Sequence, residues 1–266
     1  MNKTENDIFK HIGAEVLDIA TSLGRVSNII LATIYWIAKG KINRRNTVIQ
    51  MVEVGWSSFP VIVLTSLFTG MVLALQMGAS MKNMFNEPVY LGSIVCQSLV
   101  KELGPVLTCI VISGRIGAAI AAEIGTMKVT EQIDALYTLG TDPVRYLAVP
   151  RFIACMLMIP VLVILSNIVG TFGGLIVAVY QWHIPSTVYW SDITYYMSMN
   201  TFLHGFIKTF FFAGIIIFTS YYKGINCEGG AEGVGKTTTN AVMISMVLVL
   251  VSDYFITAIL VVLGIS

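Results

Sequence analysis

The chain has 266 residues, 56% of them hydrophobic and only 12% charged, with a net charge of +1. A water-soluble domain carries about a quarter charged residues, so this chain has too little polar side chain to cover a soluble surface. A charge balance so close to zero gives no basis for nucleic-acid binding. The apolar residues instead fall in blocks of about 20, the length of a helix that crosses a bilayer.

From Ile8 to Ala38 the apolar residues Ile8, Ile12, Val16, Ile19, Leu23, Val26 and Ile30 recur at helical spacing, and Lys10, Glu15, Asp18 and Arg25 mostly fall off that stripe. This pattern predicts an amphipathic helix lying in the membrane interface. Residues 1–28 carry charges throughout and lack the compact apolar region and small-residue cleavage site of a signal peptide. A polar link with Lys39, Lys41, Arg44 and Arg45 completes a first region, residues 1–45; residues 46–266 form the membrane domain. The first crossing is Phe59–Ala79, without a charge, and a link from Met81 to Pro88 turns the chain. The second helix is expected from about Tyr90 to Gly125. A polar island, Glu123 to Arg151, follows. It is too long for a tight turn and predicts a short amphipathic helix at about 128–139, outside the membrane, as a handle for a soluble partner. The third crossing is 152–180, with Pro160 as a kink. A link over 181–200, able to hold a short helix, precedes the fourth crossing at 201–222. The Gly-rich link 223–239 leads to the fifth at 241–263. The expected fold is all-α: an N-terminal interfacial helix plus five transmembrane helices, with an extramembrane helix between the second and third.

Lys and Arg fix the orientation. One set of links holds Lys39, Lys41, Arg44, Arg45, Lys128, Arg145, Arg151, Lys223 and Lys236; the other holds Lys82, and the whole 181–200 link has no Lys or Arg. The first set is therefore expected to be cytoplasmic, with the N-terminus inside, the C-terminus outside and the polar island where a soluble ATPase can reach it.

Ionisable groups in lipid cost several kcal/mol, roughly, unless they face a cavity or a partner. Lys101 and Glu102 read in two ways: as a cavity-facing acid with a snorkelling or paired lysine, or as helix-end charges at the outer interface. Arg115 and Glu123 are expected to anchor the second helix or to pair with each other or with neighbours. Lys208 and Asp253 are placed to pair between the fourth and fifth crossings. Met71, Met77, Met81 and Met84 lie on or just after the first crossing, where adaptable thioethers suit either packing or flexible acyl chains. Cys96, Cys109, Cys155 and Cys227 form no CxxC pair, and His11, His183 and His204 are dispersed, so no disulfide framework, metal site or cofactor is expected. No nucleophile–base constellation points to catalysis. The stretch Gly230–Thr237 satisfies GxxxxGK[ST], but a phosphate-binding loop needs a preceding buried strand, and here the end of a membrane helix precedes it. It reads as a flexed link, with Thr237, Thr238 and Thr239 capping the fifth helix.

Several runs carry a resemblance. Gly70-Met-Val-Leu-Ala-Leu-Gln76, Val100-Lys-Glu-Leu-Gly-Pro-Val106, Gly114 to Met127, Thr130-Glu-Gln-Ile-Asp134, Asp142-Pro-Val-Arg145, Pro150-Arg-Phe152 and Gly233 to Thr238 resemble, in order and at compatible spacing, the MlaE/YrbE family of ABC-transporter permeases. The similarity covers roughly Val48 to Leu260. It implies a homodimeric inner-membrane permease of a phospholipid-trafficking system that maintains outer-membrane lipid asymmetry. The implied partners are a cytoplasmic ABC ATPase, which would hydrolyse the ATP and contact Lys128, Glu131, Asp134 and Leu136, and a periplasmic MCE-domain protein. Phospholipid would lie between the two subunits, against Leu73, Met77, Met81, Met84 and Glu102. Family members often carry Arg where this chain has Lys101, and an Arg-Ala-Thr-like run at Lys236-Thr237-Thr238. The alternative reading is an ion-coupled secondary transporter that uses Lys101, Glu102 and Asp253.

Overall fold

In hydrocarbon the backbone has only itself to hydrogen-bond with, so uncharged blocks of Leu, Ile, Val and Phe close into helices. The computed structural model describes residues 3–40, 42–85 and 90–265, and the side chains of 17, 20–40, 42–83 and 90–265. Its helices are α1 (Lys3–Ala38), α2 (Arg44–Phe85), α3 (Leu91–Val129), α4 (Gln132–Thr138), α5 (Val144–Tyr180), α6 (Ser186–Tyr196), α7 (Met199–Ile225) and α8 (Gly230–Val262). Among the described residues there is no strand. Five helices, α2, α3, α5, α7 and α8, are long and apolar enough to cross a membrane.

Several boundaries differ from the sequence reading; α2 runs on to Phe85, past Ala79, and α5 begins at Val144, before residue 152. First, α2 starts at Arg44, well before the uncharged block, because a helix continues past the point where hydrocarbon ends. Second, the helix expected at 128–139 is shorter. Lys128 belongs to the last turn of α3, and Glu131 (φ 60) makes a left-handed turn before α4 begins at Gln132. Third, the Gly-rich link ends early. Gly229 and Gly230 take positive φ and α8 starts there, so Gly230–Thr237 are helical turns and not a phosphate loop. Thr238 and Thr239 donate back to the carbonyls of Val234 and Gly235 inside the helix, so these threonines cap nothing. Both extensions place polar sequence in helices whose length is set by tertiary packing.

The side chains of Ile8, Ile12, Val16 and Ile19 lie outside the described residues. Farther along α1, Val26, Ile29 and Ile30 pack on the main core, while Leu23, Leu31, Ile34 and Tyr35 face outward. The end of α1 is tied down by Trp36, whose indole N–H donates to Asp142 Oδ2 at 2.8 Å, with the Arg145 guanidinium 5.3 Å over its ring.

The larger core cluster joins Cys109, Ile112, Ile116 and Ile120 of α3 to Ile159 of α5 and Phe212, Ile216 and Tyr221 of α7; a second gathers Ala74, Leu91, Val95, Leu99 and Tyr189. All four cysteines are buried and unbridged. Helices α2 and α5 meet backbone to backbone, as small residues allow in membranes. A Cβ on Gly70 would stand 1.8 Å from the Gly170 carbonyl oxygen, and one on Gly173 would stand 2.3 Å from that of Leu67. Gly70→Val is therefore expected to cost about 3 kcal/mol through forced separation of the two helices. The expected readout is a sharp loss of monodisperse protein and a lower melting temperature in detergent; wild-type melting would refute the close packing.

Candidate functional site

The helical ladder of α3 changes character where its first charges fall. Leu99–Leu103 forms a π turn, in which the Gly104 N–H reaches back to the Leu99 carbonyl. Such turns insert one residue, redirect side chains and occur often at functional sites. The neighbours close in on this turn because glycines let them. Asn167 Oδ1 of α5 occupies the place of a Cβ on Gly104, and the Val100 carbonyl occupies that of a Cβ on Gly205 of α7.

From this turn Glu102 meets α7. Its Oε2 accepts from Lys208 Nζ at 2.6 Å, and Lys208 Nζ also lies 2.9 Å from Asp253 Oδ1 of α8. The lysine is fully buried, Asp253 is 20% exposed and Glu102 is 41% exposed. One cation thus ties three spans together, and the cluster keeps a partly open carboxylate at its edge. Two acids and one lysine leave one negative charge in excess. His204, 2% exposed, places Nε2 3.6 Å from Glu102 Oε1. The expected Lys208–Asp253 pair is present; Glu102 as its third member was not read from the sequence, because the contact spans 106 residues. Lys101, beside Glu102, is half-buried and has no ion pair among the described residues.

Leu73 and Met77 pack on the second cluster, which contains Leu99 and Val100 of the π turn; Met81 is half-buried, and the side chain of Met84 lies outside the described residues. An almost wholly apolar cavity of about 220 Å³ lies close by, lined by Val100, Ile168, Phe172, Trp190 and Phe202 among others.

At the other end of α3, the polar island is braced by ion pairs. Glu123 pairs with buried Arg151 of α5 at 2.6 Å, and Lys128 reaches Asp134 at 3.3 Å. Arg151 Nη1 also donates to the Leu147 carbonyl. Ile133 is buried and Leu136 packs on the core, anchoring α4, while Glu131, Tyr137 and Leu139 point outward. The exposed Tyr137 and Leu139 were not singled out in the sequence, although two apolar residues in a polar helix are the signal for them. Beside α4 opens a cavity of about 670 Å³, lined by Asn46, Gln50, Glu123, Gln132, Tyr146 and Arg151 among others. Among the described residues no group of His, Cys, Asp and Glu is arranged to hold a metal.

The family model for the permease MlaE matches residues 47–259. The chain belongs to the MlaE permease family. It is 39% identical over 251 residues to a probable ABC transporter permease of Rickettsia felis, covering 94% of this chain and 96% of the relative. It is 42% identical over 220 residues to a probable ABC transporter permease of Synechocystis, covering 83% of each. It is also 36% identical over 252 residues to the intermembrane phospholipid transport system permease MlaE of Haemophilus influenzae, covering 94% and 95%. This MlaE-family chain is an ABC transporter permease and a multi-pass membrane protein.

The cluster of this permease carries a stability consequence. Replacing Lys208 by Met strands two carboxylates, at a cost of about 3 kcal/mol, the lower end of the range for a broken buried pair because Glu102 is partly exposed. Adding Glu102→Gln and Asp253→Asn to Lys208→Met should recover most of that loss. Melting temperatures of the single and triple variants in one detergent check this, and a triple variant as unstable as the single would contradict it.

Proposed function

We propose that this permease moves phospholipid between the inner and outer membranes of a double-membraned bacterium, driven by ATP hydrolysis on a separate subunit. The observation that carries the reading is a partly open acid, Glu102, held by a buried lysine inside an ABC permease. Two acids that share one lysine in a membrane core leave an uncompensated negative charge, which is expensive and calls for a further partner. A lipid headgroup is the polar group available there, and Leu73, Met77, Met81 and Met84 would form the apolar wall for its tails. The Haemophilus relative, an intermembrane phospholipid transport system permease, supports this substrate class.

By the excess of Lys and Arg, the end of the molecule with α4 faces the cytoplasm. The α4 segment would seat in the ATPase, with Lys128, Glu131, Asp134 and Leu136 at or behind the contact and Tyr137 and Leu139 adding apolar surface. The Glu123–Arg151 and Lys128–Asp134 pairs would carry its motion into α3 and α5 as a rigid shift. Outward-facing Trp56, Phe59, Phe68, Val247 and Tyr254 on α2 and α8 would be covered by lipid and by a second copy of the chain. The opposite face would meet an MCE-domain partner, and α1 would lie in the inner-leaflet interface. The physiological outcome would be maintenance of outer-membrane lipid asymmetry.

Two variants test the two ends. Replacing Glu131 and Asp134 together by Lys should reduce ATPase co-purification by about tenfold or more, equivalent to about 1.4 kcal/mol, with the permease still inserted; unchanged co-purification would remove α4 as the docking point. Glu102→Ala should lower recovery of co-purified phospholipid and ATP-dependent transport in reconstituted vesicles. Wild-type behaviour in both would remove Glu102 from the lipid path, and equal transport without the ATPase would favour an ion-coupled carrier.

A further inference from the structure

One nitrogen of His204 has its role fixed by its neighbour. Nδ1 lies 2.7 Å from the carbonyl oxygen of Ile265, just beyond α8. A carbonyl oxygen only accepts, so Nδ1 carries a hydrogen. In the neutral ring Nε2 is then a bare lone pair. Nε2 is buried, has no hydrogen-bond partner among the described residues and sits 3.6 Å from Glu102 Oε1. Two acceptors therefore face each other across a gap that a proton would close.

The charge count points the same way. The α3 turn supplies Glu102, with Lys101 beside it; α7 supplies Lys208 and His204; α8 supplies Asp253. The only other charged residues of α5, α7 and α8, namely Arg145, Arg151, Lys223, Glu232 and Lys236, lie toward the polar-island ends of those helices. Glu102, Asp253 and Lys208 sum to one negative charge, and an imidazolium at 204 would bring the cluster to neutrality.

The geometry points to a proton-binding site between His204 Nε2 and Glu102 Oε1 that competes with the ammonium group of a zwitterionic lipid headgroup for the same carboxylate oxygen. The second half of this statement rests on the phospholipid reading above. With the proton bound, imidazolium holds Oε1 and Lys208 holds Oε2, so Glu102 is fully engaged by its own subunit. With the proton absent, Oε1 is uncommitted on a side chain that is 41% exposed, in a cluster carrying excess negative charge. An amine-bearing headgroup supplies the missing cation, whereas a phosphoglycerol headgroup does not. Linkage then requires reciprocity: protons weaken aminophospholipid binding, and aminophospholipid weakens proton binding.

The test uses the full-length chain in nanodiscs of dioleoyl phosphatidylglycerol doped with dioleoyl phosphatidylethanolamine. Retained lipid and the ¹⁵N imidazole signals are followed between about pH 5 and 8. Retained phosphatidylethanolamine should fall about fivefold or more on acidification while phosphatidylglycerol stays constant. His204→Asn, which keeps a donor for the Ile265 carbonyl, should hold the alkaline level throughout. The Nε2 signal that this variant removes should titrate in the wild type and move in Glu102→Gln. Flat phosphatidylethanolamine retention in the wild type, an unchanged pH response in His204→Asn, or a signal that does not titrate would each overturn the proposal. If neither lipid is retained at any pH, the phospholipid reading fails. The imidazole signal then decides the proton site alone: a titration that responds to Glu102→Gln upholds it, and a flat one ends it.

Discussion

Lys208 is the constraint around which the membrane part is arranged. A fully buried ammonium survives in hydrocarbon only if acids come to it, and here they come from two other helices, Glu102 of α3 and Asp253 of α8. That requirement fixes how α3, α7 and α8 are rotated about their axes. The π turn at Leu99–Leu103 meets it locally by re-aiming Glu102, and Gly104 and Gly205 let the neighbouring helices close on the irregular backbone. Because one acid is more exposed than the other, the same interaction that locks the bundle leaves a carboxylate at its edge. Under the proposed function, structural and functional demands meet at Glu102.

The other end of α3 is built on a different principle. There the ion pairs are between neighbours along one hairpin, Glu123 with Arg151 and Lys128 with Asp134. They brace α4 against the two spans that flank it. Trp36 adds α1 to this brace through Asp142, whose other oxygen accepts the Val144 N–H at the start of α5. Asp142 thus holds an amphipathic helix and caps a span at once. A push delivered to α4 would be shared among α1, α3 and α5 instead of being absorbed in a loose loop. This link between a surface helix and the membrane core is what a transporter driven by a separate engine requires.

The five spans were legible in the sequence because an uncharged block of bilayer length has essentially one structural solution, and the quoted motifs carried the family. What escaped the reading was set by tertiary packing. Uncharged length says where hydrocarbon lies, not where a helix stops, so the early starts of α2 at Arg44 and α8 at Gly230 were missed. A π turn leaves no periodic signature in a helix that is apolar on most sides. The left-handed Glu131 shortened the predicted extramembrane helix because nothing in Thr130-Glu131 marks it as a turn. Glu102 could be named as unusual, but its partner could not, since only the fold brings residue 208 beside it. Arg115 was weighed as a partner for Glu123; the packing of α5 supplied Arg151 instead. His204 gave no sequence signal at all, and its interest arises only from the Ile265 carbonyl on one side and Glu102 on the other.

The central claim is that the buried lysine cluster holds Glu102 out toward lipid. A cryo-EM map of the permease with its ATPase, purified in native membrane lipid, tests it most directly. The account predicts headgroup density against Glu102 in each copy of the chain, with Lys208 still between Glu102 and Asp253. Lipid density seated elsewhere, with Glu102 enclosed by protein on every side, would contradict it.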